Sequence, residues 1–312
     1  MPAAPRTTVL VFRAAALFTL LAVVGGALVC ATESGFECGN WPGCDADALL
    51  PSGPVNELLY RNPWIEMAHR SSAVLAGPLA VASALLATRL RGVHPLVKLL
   101  PWVTVAGAAV AGYVGRGIVL GVDFPAWVAA ADLGSAILAM AAMVTAAVAL
   151  ERTPTAWLPS RAGRLAWAAS GTLLVFHLVS LYAAGPGSYT RCMSWPVWEL
   201  LSADTTGNLG LQSARFGLAA VAAGLTIAAV AVSRTPSGPR REAVAVGVLL
   251  GVVLVTGLVI RVSGTDALGV PYAIATVGLL CGLVLLAARA SLPAVPAGDA
   301  VRAGVDAEAG RP

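Results

Sequence analysis

Charge is what this sequence most lacks. Only 12% of its 312 residues are Asp, Glu, Lys or Arg, about half of the roughly 25% carried by a soluble globular chain, and that excludes a water-soluble domain. The longest polar stretch is residues 32–68, so an extended soluble domain has nowhere to sit. Short segments of alternating polarity, the mark of a membrane β-barrel, are missing. So is any Lys/Arg stripe interleaved with aromatic side chains, which removes a nucleic-acid partner.

What fills the chain is apolar. Hydrophobic residues make up 58% of it, and the mean hydropathy is +0.80. A membrane-spanning helix needs about 20 mostly apolar residues. Windows of that kind occur near 9–31, 71–88, 99–119, 126–150, 165–184, 214–232, 243–262 and 271–288. The expected fold is therefore an all-α integral membrane protein of eight transmembrane helices.

Flanking charge sets the expected orientation, because Lys and Arg resist translocation. Fourteen of the twenty basic residues fall on the side of the N-terminus, among them Arg6, Arg13, Arg89, Arg91, Lys98, Arg152, Arg161, Arg164, Arg240 and Arg241. Eleven of the sixteen acidic residues fall on the other side. Both termini are thus expected in the cytoplasm of a multi-pass cell-membrane protein, with the first outer loop on the extracytoplasmic face. Arg6 and Arg13 ahead of an apolar run resemble a signal peptide, but no Ala-x-Ala cleavage site is clear, so an uncleaved first helix is expected.

An internal repeat organises the rest. His69-Arg70 and Ala214-Arg215 lie 145 residues apart, and so do Gly112-x-x-x-Arg116 and Gly257-x-x-x-Arg261. Upstream, Cys38 to Cys44 matches Cys192 to Trp198 at an offset of 154, so the first outer loop is nine residues longer. The chain divides into a four-helix bundle over 1–155 bearing the outer loop 32–68, a second bundle of the same orientation over 156–290, and an Ala/Gly/Pro-rich tail over 291–312 expected to be a disordered cytoplasmic segment. Parallel repeats place related sites on one side of the membrane.

Residues able to carry chemistry gather at the outer helix ends. Glu66 and His69 are three apart and share a helical face. A neutral imidazole is a good donor to iron, and a carboxylate can move a proton or balance a cation. The plainer alternative pairs Glu66 with Arg70 and leaves His69 as an interfacial residue. Arg70, Arg116, Arg215 and Arg261 form two repeat-related pairs, and a guanidinium so near hydrocarbon is rare unless paired or functional. They either hold a carboxylate-bearing ligand or snorkel and pair with nearby acids. Cys38 and Cys44 on the oxidising side can close a small disulfide loop, as a staple or as a redox pair. His177, inside the fifth helix, is a candidate for function or a histidine bonded to a helix carbonyl. Cys281 packs, and His94 beside Pro95 is solvated.

The segment from Glu33 to Cys44, with its Cys38-Gly39-Asn40-Trp41-Pro42-Gly43-Cys44 loop, followed by Glu66-Met67-Ala68-His69-Arg70, resembles the first outer loop and second helix of the heme A synthase family. That family has eight helices in two similar bundles, so the likeness extends over nearly the whole membrane region. It implies oxidation of the heme O methyl to the formyl of heme A for heme-copper oxidase assembly. It also implies a histidine at the outer end of helices 2, 4, 6 and 8. Here His69 matches. Asp132 stands at the helix 4 position, Ala214 at helix 6, and the helix 8 position falls near Gly278.

By this resemblance His69 is the ligand to heme iron in the N-terminal bundle, with Asp132 as a further metal ligand, Glu66 as the catalytic carboxylate, and the four arginines, with His177, as cofactor-binding groups. Heme O or heme b is the implied partner molecule, with heme O synthase and oxidase subunits as implied protein partners. Two other functions fit the same residues. One is a non-catalytic heme-handling or oxidase-assembly protein. The other is a quinone-linked thiol oxidoreductase using Cys38 and Cys44, although a second outer Cys-x-x-Cys pair is missing.

Overall fold

A computed structural model of the chain describes residues 4–52, 57–152, 156–183, 209–234, 239–263 and 268–292, the side chains of residues 183, 209 and 261 excepted. Among the described residues the secondary structure is helical throughout. The helices are α1 (Arg6–Ala31), α2 (Pro63–Arg89), α3 (Pro95–Val119), α4 (Ala126–Arg152), α5 (Arg161–Ala183), α6 (Leu209–Ser233), α7 (Arg240–Ser263) and α8 (Gly269–Ser291). All eight are long and apolar enough to cross a membrane, as a helical membrane protein requires.

Helix starts follow local chemistry. Asn62 caps α2 by accepting a hydrogen bond from the Trp64 amide, and Pro63 occupies the first helical position, where a missing N–H costs nothing. α2 therefore begins eight residues before its apolar window and absorbs the end of the 32–68 loop, so Glu66 lies in its first turn. At α3 the imidazole Nδ1 of His94 accepts from the Leu96 amide, again ahead of a proline.

Neighbouring helices close two rings. α1 packs on α2, α2 on α3, α3 on α4 and α4 back on α1; α5 to α8 repeat the pattern, with α8 returning to α5. Three contacts join the rings: α1 with α8, α4 with α8, and α4 with α5. α4 and α8 are consequently the two most enclosed helices, and the seam between rings is a core of Leu133, Ile137, Met140 and Val144 of α4 against Ala273, Val277, Leu280 and Val284 of α8. Outward faces carry exposed leucines and valines such as Leu85, Val110, Val255 and Leu258, as suits contact with lipid tails. Close approach between helices depends on small residues. At Gly107 of α3 a Cβ would come within 2.7 Å of the Ser135 carbonyl oxygen of α4.

The two ends of the molecule are tied in different ways. At the end carrying the N-terminus of α1, hereafter the basic end, Arg13 pairs with Glu151 at 2.7 Å and Arg289 with Glu242. Arg152 donates to the carbonyls of Arg289 at 2.7 Å and Leu292 at 2.9 Å. This places a cation on the unsatisfied carbonyls at the C-terminus of α8. The opposite end, hereafter the loop end, carries the 32–62 connection.

Candidate functional site

The loop end is built upward from the roots of the 32–62 connection. Thr32 closes α1 by donating its hydroxyl to the Leu28 carbonyl at 2.8 Å. The Ser34 hydroxyl accepts from the Asn62 amide at 3.0 Å, and the Thr32 carbonyl accepts from the Arg61 amide at 2.8 Å. The outgoing and returning strands of chain are therefore pinned together directly above α1 and α2.

Cys38 and Cys44 form a disulfide, and with Met67 they make a small buried cluster over the first turn of α2. The pair Glu66 and Arg70 holds this loop down. Glu66 is 3% exposed; one carboxylate oxygen accepts from the Cys38 amide at 2.9 Å and the other pairs with Arg70. Arg70 also donates to the carbonyls of Cys38 at 2.9 Å, Gly43 at 2.8 Å and Asn40. All four terminal N–H groups of that guanidinium are thus engaged by the loop and by Glu66. Buried charge persists when it is paired and its remaining hydrogen-bonding positions are filled, and this pair meets both conditions.

His69 lies between these two residues in sequence and points elsewhere. Its side chain rests on the Gly25-Gly26 step of α1, where a Cβ on Gly25 would stand 3.0 Å from His69 Cα, Cβ and Nδ1, and one on Gly26 would stand 3.4 Å from Cε1. Only glycine leaves room for the ring. The backbone of Ala22 is the polar group that the buried ring meets there. The Gly-Gly pair was the sequence signal for this contact, since paired glycines inside an apolar helix mark a close approach.

Asp132 is 6% exposed and lies six residues into α4, the same depth as His69 in α2, about 9 Å from the helix start at helical rise. Eleven residues on, three turns along the same face, Met143 packs against Phe12 of α1. Asp132 therefore lies on a buried face of α4, and His69 in the interface between α1 and α2. Arg116, at the end of α3, is exposed with its guanidinium carbon 5.4 Å from the centroid of the Trp41 ring.

The second ring is arranged otherwise. Arg215 is 1% exposed, and donates to Ser180 of α5 at 3.2 Å and to Gln212 one turn earlier at 3.1 Å. His177 is buried with the Phe176 ring edge-on at 5.0 Å. Ala214 is exposed and offers no donor, and a Cβ on Gly278 would stand 3.4 Å from Leu249 of α7. Neither Ser180 nor Gln212 is marked by spacing in the sequence. The Arg261 side chain, Asp266 and the segment with Cys192, Trp195, Pro196 and Trp198 lie outside the described residues, as does the tail from 293. Among the described residues no group of three or more His, Cys, Asp or Glu side chains is placed to hold a metal ion.

Comparison with protein-family models and with curated proteins returns no match.

Proposed function

We propose that the chain is a heme A synthase-like membrane protein that handles heme in the first ring, at the loop end. The observation that carries this reading is His69: an imidazole held at one height on α2 by a Gly-Gly step of α1, with the Ala22 backbone as its polar neighbour. A neutral imidazole is a donor that suits iron. Asp132 at the same depth offers an oxygen donor from α4. Arg116, exposed at the same end, is the cation available to a propionate, because Arg70 is taken up by the 38–44 loop.

Heme, when bound, supplies the redox chemistry for oxidising a methyl group. The chain's share is narrower. Glu66 and Arg70 fix the disulfide loop as a cover over α2, and His69 would hold the group from α2. Among the described residues of the second ring, the two positions that match His69 and the helix 8 site do not fit the group, since Ala214 offers iron nothing and Leu249 stands beside Gly278.

The two closed rings support the repeat inferred from the 145-residue spacing, and the fourteen basic residues on one side support placing both termini in the cytoplasm. Reporter fusions test this: activity of a periplasmic reporter at residues 234–241 would sink the eight-span topology. A second reading, a non-catalytic heme-handling or oxidase-assembly protein, is favoured by one specific feature. Both oxygens of Glu66 are already committed to Cys38 and Arg70, which leaves little freedom for proton transfer. Heme extraction from cells lacking the protein separates the two. The enzyme reading expects heme O to accumulate and heme A to vanish; unchanged heme composition with impaired oxidase assembly would select the second.

A further inference from the structure

A groove of about 530 Å³ opens on the membrane-facing side of the basic end, where the two rings meet between α3, α4 and the start of α5. Its walls are Leu96 and Leu100 of α3, Ala142 of α4 and Trp167 of α5, and its mouth is formed by His94 and Trp157. The two indoles lie 5.8 Å apart. Trp and Tyr collect at the level of lipid headgroups, so the groove starts at the interface and runs inward along apolar side chains. Along α3 it spans residues 94 to 103, about 13 Å at helical rise.

The chain on either side of the mouth is cationic. The segments that flank it, residues 89–95 and 156–164, contain Arg89, Arg91, Arg161 and Arg164 and no acidic residue; all four cations are exposed, while Lys98 lies on the face of α3 away from Leu96 and Leu100. Among the described residues at this end the acids are Glu151 and Glu242, and each is already paired, with Arg13 and Arg289. Arg164 donates to the Pro159 carbonyl at 3.1 Å, which holds its guanidinium by the loop that carries Trp157. A hydrocarbon track whose mouth is flanked by exposed arginines is complementary to one kind of molecule, an amphiphile with an apolar chain and an anionic head.

We propose that this seam is a binding site for an anionic phospholipid, with one acyl chain in the groove and the headgroup phosphate on the flanking arginines. Bound there, the lipid bridges the first ring to the second where direct contact between α4 and α5 is slight.

The test is thermal unfolding of the detergent-solubilised full-length protein with phosphatidylglycerol or phosphatidylcholine of identical acyl chains. Phosphatidylglycerol is expected to raise the midpoint by roughly 5 °C, and phosphatidylcholine by much less. In the quadruple variant Arg89→Gln, Arg91→Gln, Arg161→Gln, Arg164→Gln, which changes exposed side chains only, the difference between the lipids should disappear. Ala142→Trp, which fills the groove, should remove the response to both lipids. Equal shifts from the two lipids in the wild type, or a preference for phosphatidylglycerol that survives the quadruple variant, would overturn the proposal. So would a menaquinone-induced shift as large as that of phosphatidylglycerol and unchanged in the quadruple variant, which would assign the groove to a neutral quinone. Should Ala142→Trp not fold, the quadruple variant decides alone.

Discussion

Arg70 and Arg215 lie 145 residues apart, each within the first two or so turns of its helix, yet the surroundings have made different groups of them. Arg70 reaches up from α2, pairs with Glu66 and binds three carbonyls of the disulfide loop. Arg215 is buried and joins α6 to α5 through Ser180, while Gln212 of its own helix accepts a second hydrogen bond. The residue before each differs as well: a histidine on a glycine step in the first ring, an exposed alanine in the second. A shared sequence spacing thus does not fix what an arginine does, and ligand chemistry has to be read separately for each ring.

The sharpest way to break this contrast is to remove Arg70. Arg70→Ala leaves Glu66 buried without its counter-charge, and loss of one partner of a buried pair costs roughly 3–5 kcal/mol. Denaturant unfolding should show that loss, and Arg70→Ala with Glu66→Gln should recover a large part of it. A cost below about 1 kcal/mol would mean that the pair is effectively solvated and that the loop is not held by it.

A smaller effect is expected one helix away. Gly25→Ala pushes a Cβ into His69, and overpacking of this kind costs about 1–3 kcal/mol. Gly77→Ala on α2 meets open space and should leave the unfolding midpoint at or slightly above that of the wild type, since alanine is the better helix former. Equal behaviour of the two variants would remove the glycine seat for His69. The mildest change is Arg116→Ala, which loses a cation–π contact with Trp41 worth about 0.5–1 kcal/mol at an exposed site. The same variant should lower heme retention much more than it lowers stability, and a drop in stability without a drop in retention would argue against Arg116 as a propionate contact.

The number and approximate position of the helices were legible because a membrane span is a one-dimensional signal, a run of apolar residues of sufficient length. The start of α2 was not, since Asn62, Pro63 and Glu66 are polar or helix-limiting residues whose helical role depends on capping and on a buried pair. The 38–44 disulfide was readable from spacing and compartment. That Arg70 would spend its donors on backbone carbonyls was not, because those carbonyls carry no side-chain signature. Asp132 was found by its distance from Pro125, and its inward face follows from helical periodicity through Met143. The contact of His69 with Gly25 and Gly26 joins residues more than 40 positions apart, and only the packing of α1 on α2 brings them together.

Pyridine-hemochrome spectroscopy of the purified protein, comparing wild type with His69→Ala and Arg261→Ala, tests the central claim most directly. The account predicts no more than one heme per chain, lost in His69→Ala and retained in Arg261→Ala, with both variants folded as judged by their thermal midpoints. Heme that persists in His69→Ala, or a wild-type protein isolated from heme-replete membranes with no heme at all, would contradict it.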